Sequence, residues 1–134
     1  MRADRLTLWL FVALLAAAVV LGLVASGGPG TARAERRDSE RMMNLRGLAG
    51  HVQCVANAAG GRLPEAIHPD PACNQDIVLN DPFDGTPYRY ERSSDTSFRL
   101  CAGFERPQVL RPNRDFEASS GCLVVDYKPA TRTP

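Results

Sequence analysis

Residues 80–105 read NDPFDGTPYRYERSSDTSFRLCAGFE, and the fold follows from how this stretch turns back on itself. Asp81-Pro82 and Asp84-Gly85 are turn-forming pairs, because an Asp side chain can accept a hydrogen bond from the backbone two residues on and Gly admits positive φ. Pro87 is tolerated as the first residue of a strand. In Tyr88-Arg89-Tyr90-Glu91 the aromatic and charged side chains alternate, the period-two signature of a half-buried strand. Ser93-Ser94-Asp95-Thr96 supplies a hairpin loop. The return strand then sets Phe98, Leu100, Ala102 and Phe104 on one face and Arg99 and Cys101 on the other, so it can pair with the tyrosine strand. A polar excursion over residues 105–121 precedes a last strand, CLVVDY, at 122–127.

Upstream, the periodicity changes. Leu45, Leu48, Ala49, Val52, Val55, Ala56 and Ala59 recur at steps of three and four, which predicts an amphipathic helix with Thr31 as N-cap and Gly60-Gly61 as its end. Its first turns, AERRDSER, are charged all round and read as a solvated face or one near lipid headgroups. Ser26-Gly27-Gly28-Pro29-Gly30 reads as a hinge. Before it, residues 6–25, LTLWLFVALLAAAVVLGLVA, carry no charge and are long enough to cross a hydrocarbon core of about 30 Å. A cleaved signal peptide is the competing reading, with Ala32-Arg33-Ala34 as its site, but the apolar run exceeds a signal's usual length and the Ala site lies well past its end. The expected organisation is a cytoplasmic stub (1–5), a transmembrane helix (6–25), a hinge (26–30), an α+β domain (31–127) and a disordered tail (128–134). The domain is one helix packed on a small antiparallel sheet of about three strands.

Composition narrows function by exclusion. There are 16 basic and 15 acidic side chains among 134 residues, so no global field draws nucleic acid, and no nucleic-acid partner is expected. Orientation is contested: Arg33, Arg36, Arg37 and Arg41 follow the span closely and favour a cytoplasmic domain, whereas four cysteines without a C-x-x-C favour two disulfides in an oxidising compartment. The cysteine argument sets the expectation of an oxidising compartment such as the periplasm, with the domain anchored in a bacterial inner membrane.

The helix RDSERMMNLRGLAGHVQCVANAAGGRLP, then DPFDGTPYRY, then FRLCAGFE, resembles the type IV pilin and pseudopilin group, most of all the major pseudopilins of type II secretion. The resemblance covers roughly residues 36–105, with 122–127 as a further match. It implies a long helix lying across a sheet that opens on an Asp-Pro turn, and a non-catalytic structural or interaction role. The span lacks the prepilin peptidase motif and the Glu of the mature pilin helix, so the resemblance is to the domain rather than to filament processing. Major pseudopilins bind calcium in a loop beside the sheet, which makes Asp115 and Glu117 weak candidate ligands here; Asp81 and Asp84 read as turn formers instead.

Four cysteines allow three pairings. Cys101 and Cys122 fall on two predicted strands of one sheet, and Cys54 near the helix end precedes Cys73 in the following loop, so the expected pairs are Cys54–Cys73 and Cys101–Cys122. Each closes a short loop worth roughly 3 kcal/mol in the chain-entropy account. A zinc site would show closer Cys pairs, and no haem-attachment motif is present, so no metal or cofactor is expected. His51 and His68 stand in no recognisable triad or H-E-x-x-H arrangement and read as surface or boundary histidines; Tyr88 and Tyr90 read as core. No catalytic residue or small-molecule substrate is expected, and the partners are the membrane and other membrane or periplasmic proteins. The alternative function is a small single-span accessory subunit of a larger respiratory, photosynthetic or transport complex, its small residues Ala13, Ala16, Ala17, Ala18 and Gly22 permitting close packing in the bilayer.

Overall fold

The computed structural model describes residues 2–73, 76–110 and 114–129, so most of the expected tail, 130–134, lies outside the described residues. The chain divides into two compact units, Met1–Ala34 and Glu35–Pro134. The first is dominated by helix α1 (Arg2–Ala25), whose leucines, valines and aromatics are exposed, Trp9 and Leu14 each at 72%. Its apolar window has a mean hydropathy of 2.8 with none of it buried, which makes α1 long and apolar enough to cross a membrane by length and composition. The helix stops where Gly27 and Gly28 take φ of 79° and 70°. Helix α2 (Gly28–Ala58) starts there, with Pro29 in the first turn, where a missing N–H leaves no intrahelical bond unmade. Thr31 is therefore not the N-cap: its hydroxyl bonds back to the carbonyls of Gly27 and Gly28, both at 2.8 Å.

The second unit is α+β. Met42, Leu45, Leu48, Ala49, Val52 and Ala56 form the buried stripe of α2, ending earlier than the apolar pattern suggests because Ala59 is already exposed. The stripe packs on Phe98, Leu100 and Leu123 of an antiparallel sheet, with Leu63 and Tyr127 closing the core. The sheet has four strands where about three are expected: β1 (Arg89–Arg92), β2 (Ser97–Cys101), β3 (Phe116–Glu117) and β4 (Cys122–Asp126), ordered β1-β2-β4-β3. The additional strand, β3, lies in the polar excursion and is only two residues long, too short for any periodicity to mark it.

Register assigns the faces. Tyr90 stands opposite Leu100, Leu100 opposite Leu123, and Phe98 opposite Val125, so the tyrosine strand shares the helix-facing side. The Tyr90 and Phe98 rings meet at 5.8 Å, and Phe104 and Phe116 make an edge contact at 5.1 Å. Glu91, Arg99, Cys101, Cys122 and Glu117 occupy the other side.

Helix α2 ends in a Schellman motif: Gly61 N–H bonds Ala56 O at 2.8 Å and Gly60 N–H bonds Asn57 O at 3.3 Å, with Gly60 at φ 73°. A side chain at Gly60 meets open space, so only backbone conformation opposes one. Gly47, exposed in mid-helix, has neither positive φ nor a close neighbour. Gly60→Ala is expected to destabilise the domain by about 1–2 kcal/mol, and Gly47→Ala to stabilise it by about 0.5–1 kcal/mol. Urea denaturation of the two variants in parallel checks both signs.

Candidate functional site

The turn before β1 is built from its own carboxylates. Asp81 N–H bonds Thr86 O at 2.8 Å, and Gly85 N–H bonds Asp81 O at 2.9 Å. Asp81 Oδ1 accepts from Phe83 N–H at 2.9 Å, while Asp84 Oδ1 accepts from Thr86 N–H at 2.8 Å. Those bonds from Thr86, backbone first, hold the Asp84 carboxyl below its usual range. Gly85 supplies the positive φ, and Asn80 bridges Pro87 across the turn.

Asp81 has a second function that its turn signature hides. It is 3% exposed, and its other oxygen accepts from the Nε of Arg41, itself 3% exposed. One terminal nitrogen of Arg41 bonds Asp38 Oδ1 at 2.9 Å and Glu105 Oε1 at 3.0 Å, and the guanidinium lies 5.4 Å from the Phe83 ring centre. Asp38, wholly buried, also accepts the backbone N–H groups of Glu105 and Arg106 at 2.9 and 2.6 Å. At the rim, Arg37 grips Glu105 in a bidentate pair with both bonds at 2.7 Å, and Arg106 reaches Glu35 at 3.0 Å.

The solvated face expected of AERRDSER holds for Glu35, Arg36, Ser39 and Glu40, which are exposed, but not for Asp38 and Arg41. Asp38 and Arg41 are buried, because carboxylates and main-chain donors from two loops converge on them. A signal for this existed: positions 38, 41, 45, 48 and 52 step by three and four, so Asp38 and Arg41 continue the apolar stripe. An apolar count passes over them.

Desolvation disfavours the Arg41 charge, but the hydrogen bonds it donates to Asp81, Glu105 and Asp38 outweigh it and raise its pKa above the ordinary guanidinium value. Glu105 is held down to about 2, chiefly by Arg37 and then by Arg41. Nε and one terminal nitrogen of Arg41 are taken up by carboxylates, and both oxygens of Asp38 by donors, so the cluster ties α2 to two loops.

The remaining sequence-identified residues lie apart from this cluster. Disulfides join Cys54 to Cys73, tying α2 to the following loop, and Cys101 to Cys122, directly opposed on β2 and β4. Asn44 donates to the Tyr88 hydroxyl at 3.0 Å, and the Tyr90 hydroxyl donates to Pro64 O at 2.7 Å; both rings are half-buried at the edge of the core. Burial leads in raising both phenol pKa values. His51 is not a surface or boundary residue: it is 1% exposed, with Nε2 bonded to His68 O at 2.8 Å, because the 61–73 loop folds over it. Pro82 sits within the turn that Asp81 organises. Asp115 and Glu117 are exposed, and the Glu117 carboxylate is engaged by Arg99 at 2.6 Å and by Ser120. Among the described residues no group of three or more His, Cys, Asp or Glu side chains is placed to hold a metal ion.

Two outcomes follow from the cluster. Arg41→Ala strands Asp38 and Asp81 as buried, uncompensated charges and is expected to cost about 3–5 kcal/mol in urea unfolding. The Glu105 carboxyl is depressed from an ordinary value of 4.5 to about 2, so its stabilising contribution is complete above about pH 4.5 and is lost as pH falls through about 2. A thermal-midpoint scan across that window should fall less steeply for Glu105→Gln than for the unmodified chain. Compared with known proteins, the chain matches no family model, no curated protein and no solved structure.

Proposed function

We propose that this chain is a membrane-anchored structural or protein-interaction module of pilin-like plan, non-catalytic, with α1 in the bacterial inner membrane and the disulfide-stapled domain in the periplasm. The observation that carries the reading is one chain holding both an uncovered apolar helix and a small unit closed by two disulfides. An exposed run of leucine and valine of this length is costly in water and at ease in lipid. Disulfides persist in oxidising compartments, which favours the periplasmic side over the side that the arginines after the span suggest. Two of those arginines, Arg37 and Arg41, are drawn into ion pairs with the domain's own carboxylates. The pilin-like plan rests on the long α2 lying over an antiparallel sheet that an Asp-Pro turn introduces. An interaction role suits a domain whose clustered charges satisfy one another.

Purification of the full chain from native membranes in mild detergent, with mass spectrometry of the co-purifying proteins and thiol alkylation before reduction, tests the reading. Recovery of pilus or secretion components with all four cysteines protected from alkylation supports it. Stoichiometric recovery of a respiratory, photosynthetic or transport complex replaces it with the accessory-subunit function. Four alkylated cysteines overturn the periplasmic placement.

A further inference from the structure

His51 lies buried in α2, and the ion cluster makes no use of it. Its Nε2 stands 2.8 Å from the carbonyl oxygen of His68. A carbonyl only accepts, so the proton of the neutral ring is on Nε2 and Nδ1 carries the lone pair. Nδ1 is buried and has no hydrogen-bond partner. A neutral imidazole tolerates that arrangement at modest cost. An imidazolium does not, because its second N–H would be a buried donor without an acceptor, on a ring whose charge is withheld from water.

The surroundings offer such a charge little. A cavity of about 100 Å³ beside His51 is walled by Val52, Val55, Pro64 and Ile67, with His68 and Asp70 as its other ionisable members. Asp70 Oδ1 accepts from Ala72 N–H at 2.8 Å within the loop's own turn, and the His68 side chain is exposed. On α2 the residues one turn away, Gly47, Leu48, Cys54 and Val55, carry no charge. From the sheet, the Tyr90 hydroxyl donates to Pro64 O, and Arg92 lies 3.9 Å from Glu65 in a separate cleft that Val55 and Pro64 also line. The loop over the ring is pinned at both ends, by Leu63 in the core and by the disulfide from Cys73 to Cys54. Residues 64–72 between these anchors form neither helix nor strand, and the His51 and Tyr90 bonds tie them down.

We propose that residues 64–72 form an acid-opened flap with His51 as its trigger: the flap closes over the neutral ring and lifts when Nδ1 takes a proton from water, while Leu63 and the Cys54–Cys73 disulfide hold its ends. The closed state binds one proton fewer than the open state, so closure is favoured at high pH and is lost as pH falls. With the flap open the ring is in water, where an imidazole protonates near pH 6.5, so the change lies below about that value. It is distinct from the Glu105 effect, which lies below about pH 4.5. Opening uncovers Val52 and more of Val55, so acid creates an apolar surface on α2 that neutral pH conceals.

The test uses the full chain in detergent micelles with its disulfides intact. A glutamate-specific protease is applied from pH 8 to 5, and cleavage after Glu65 is divided by its rate on an isolated peptide of residues 61–73 at each pH. A short segment must open before a protease can bind it, so the ratio tracks the open population. Below about pH 6.5 the ratio is expected to rise by up to about tenfold per pH unit, the slope for one linked proton. NMR of the histidine rings should show His51 protonation and loss of its contacts with residue 68 at a common midpoint. His51→Gln keeps a donor for the His68 carbonyl and cannot titrate, so its ratio should stay flat, whereas His68→Gln and Asp70→Asn should keep the rise. If His51→Gln does not fold at pH 8, the NMR midpoint and the ratio decide the matter on the unmodified chain. A flat ratio in the unmodified chain, an equal rise in His51→Gln, or loss of the rise in His68→Gln overturns the proposal. So does a His51 ring that protonates with its residue 68 contacts intact, or an Asp70→Asn chain that loses the response, which makes Asp70 the partner of the charge. A parallel rise in cleavage after Glu91 and Glu105 also overturns it, since the whole domain and not the flap is then opening.

Discussion

The domain is organised around one buried guanidinium. Arg41 enters from α2 and is met by Asp81 from the turn before β1, by Glu105 from the loop after β2, and by Asp38 one helical turn back. Removing such a group from water costs several kcal/mol, recovered only when its donors are met with good geometry. Two separate loops must therefore be in place before the helix can pack with its charge buried. Hydrophobic contact alone would tolerate a helix sliding by a turn; a buried cation with three carboxylate partners does not.

This division of labour is visible along α2. From Met42 to Ala56 the helix is held by apolar packing against Phe98, Leu100 and Leu123, which is strong and directionally permissive. From Glu35 to Arg41 it is held by charge-assisted hydrogen bonds, which are directional and specify register. The disulfides belong to the first region: Cys54–Cys73 closes the loop over His51, and Cys101–Cys122 locks the central strand pair.

The legible parts of this structure were those where neighbouring residues determine one another. Alternation of tyrosine with charge marked β1, two glycines marked the end of α2, and the positions of Cys54 and Cys73 around that end marked a pair close in space. What stayed hidden depended on groups distant in sequence. Asp38 looks like a surface acid until the backbone N–H groups of Glu105 and Arg106 arrive, and Asp81 is a sufficient turn former before Arg41 gives it a partner. Strand β3 is formed by β4, since two residues have no pattern of their own. His51 became core only because the 61–73 loop, whose local residues read as punctuation, folds back on it.

The placement of the ion cluster has a mechanical side. Any pull transmitted along the chain toward residue 35 enters the domain at the end of α2 that no disulfide secures. The load falls first on the Asp38, Arg41 and Glu105 bonds, in series with the apolar contacts behind them, while both sulfur cross-links lie further along the path. Short polar bonds loaded together in shear yield abruptly, and then the helix can peel from the sheet one turn at a time. The domain is built like a clasp whose catch is ionic and whose body is covalently bound, and because the catch is buried it keeps its charges where exposed pairs would be screened by salt.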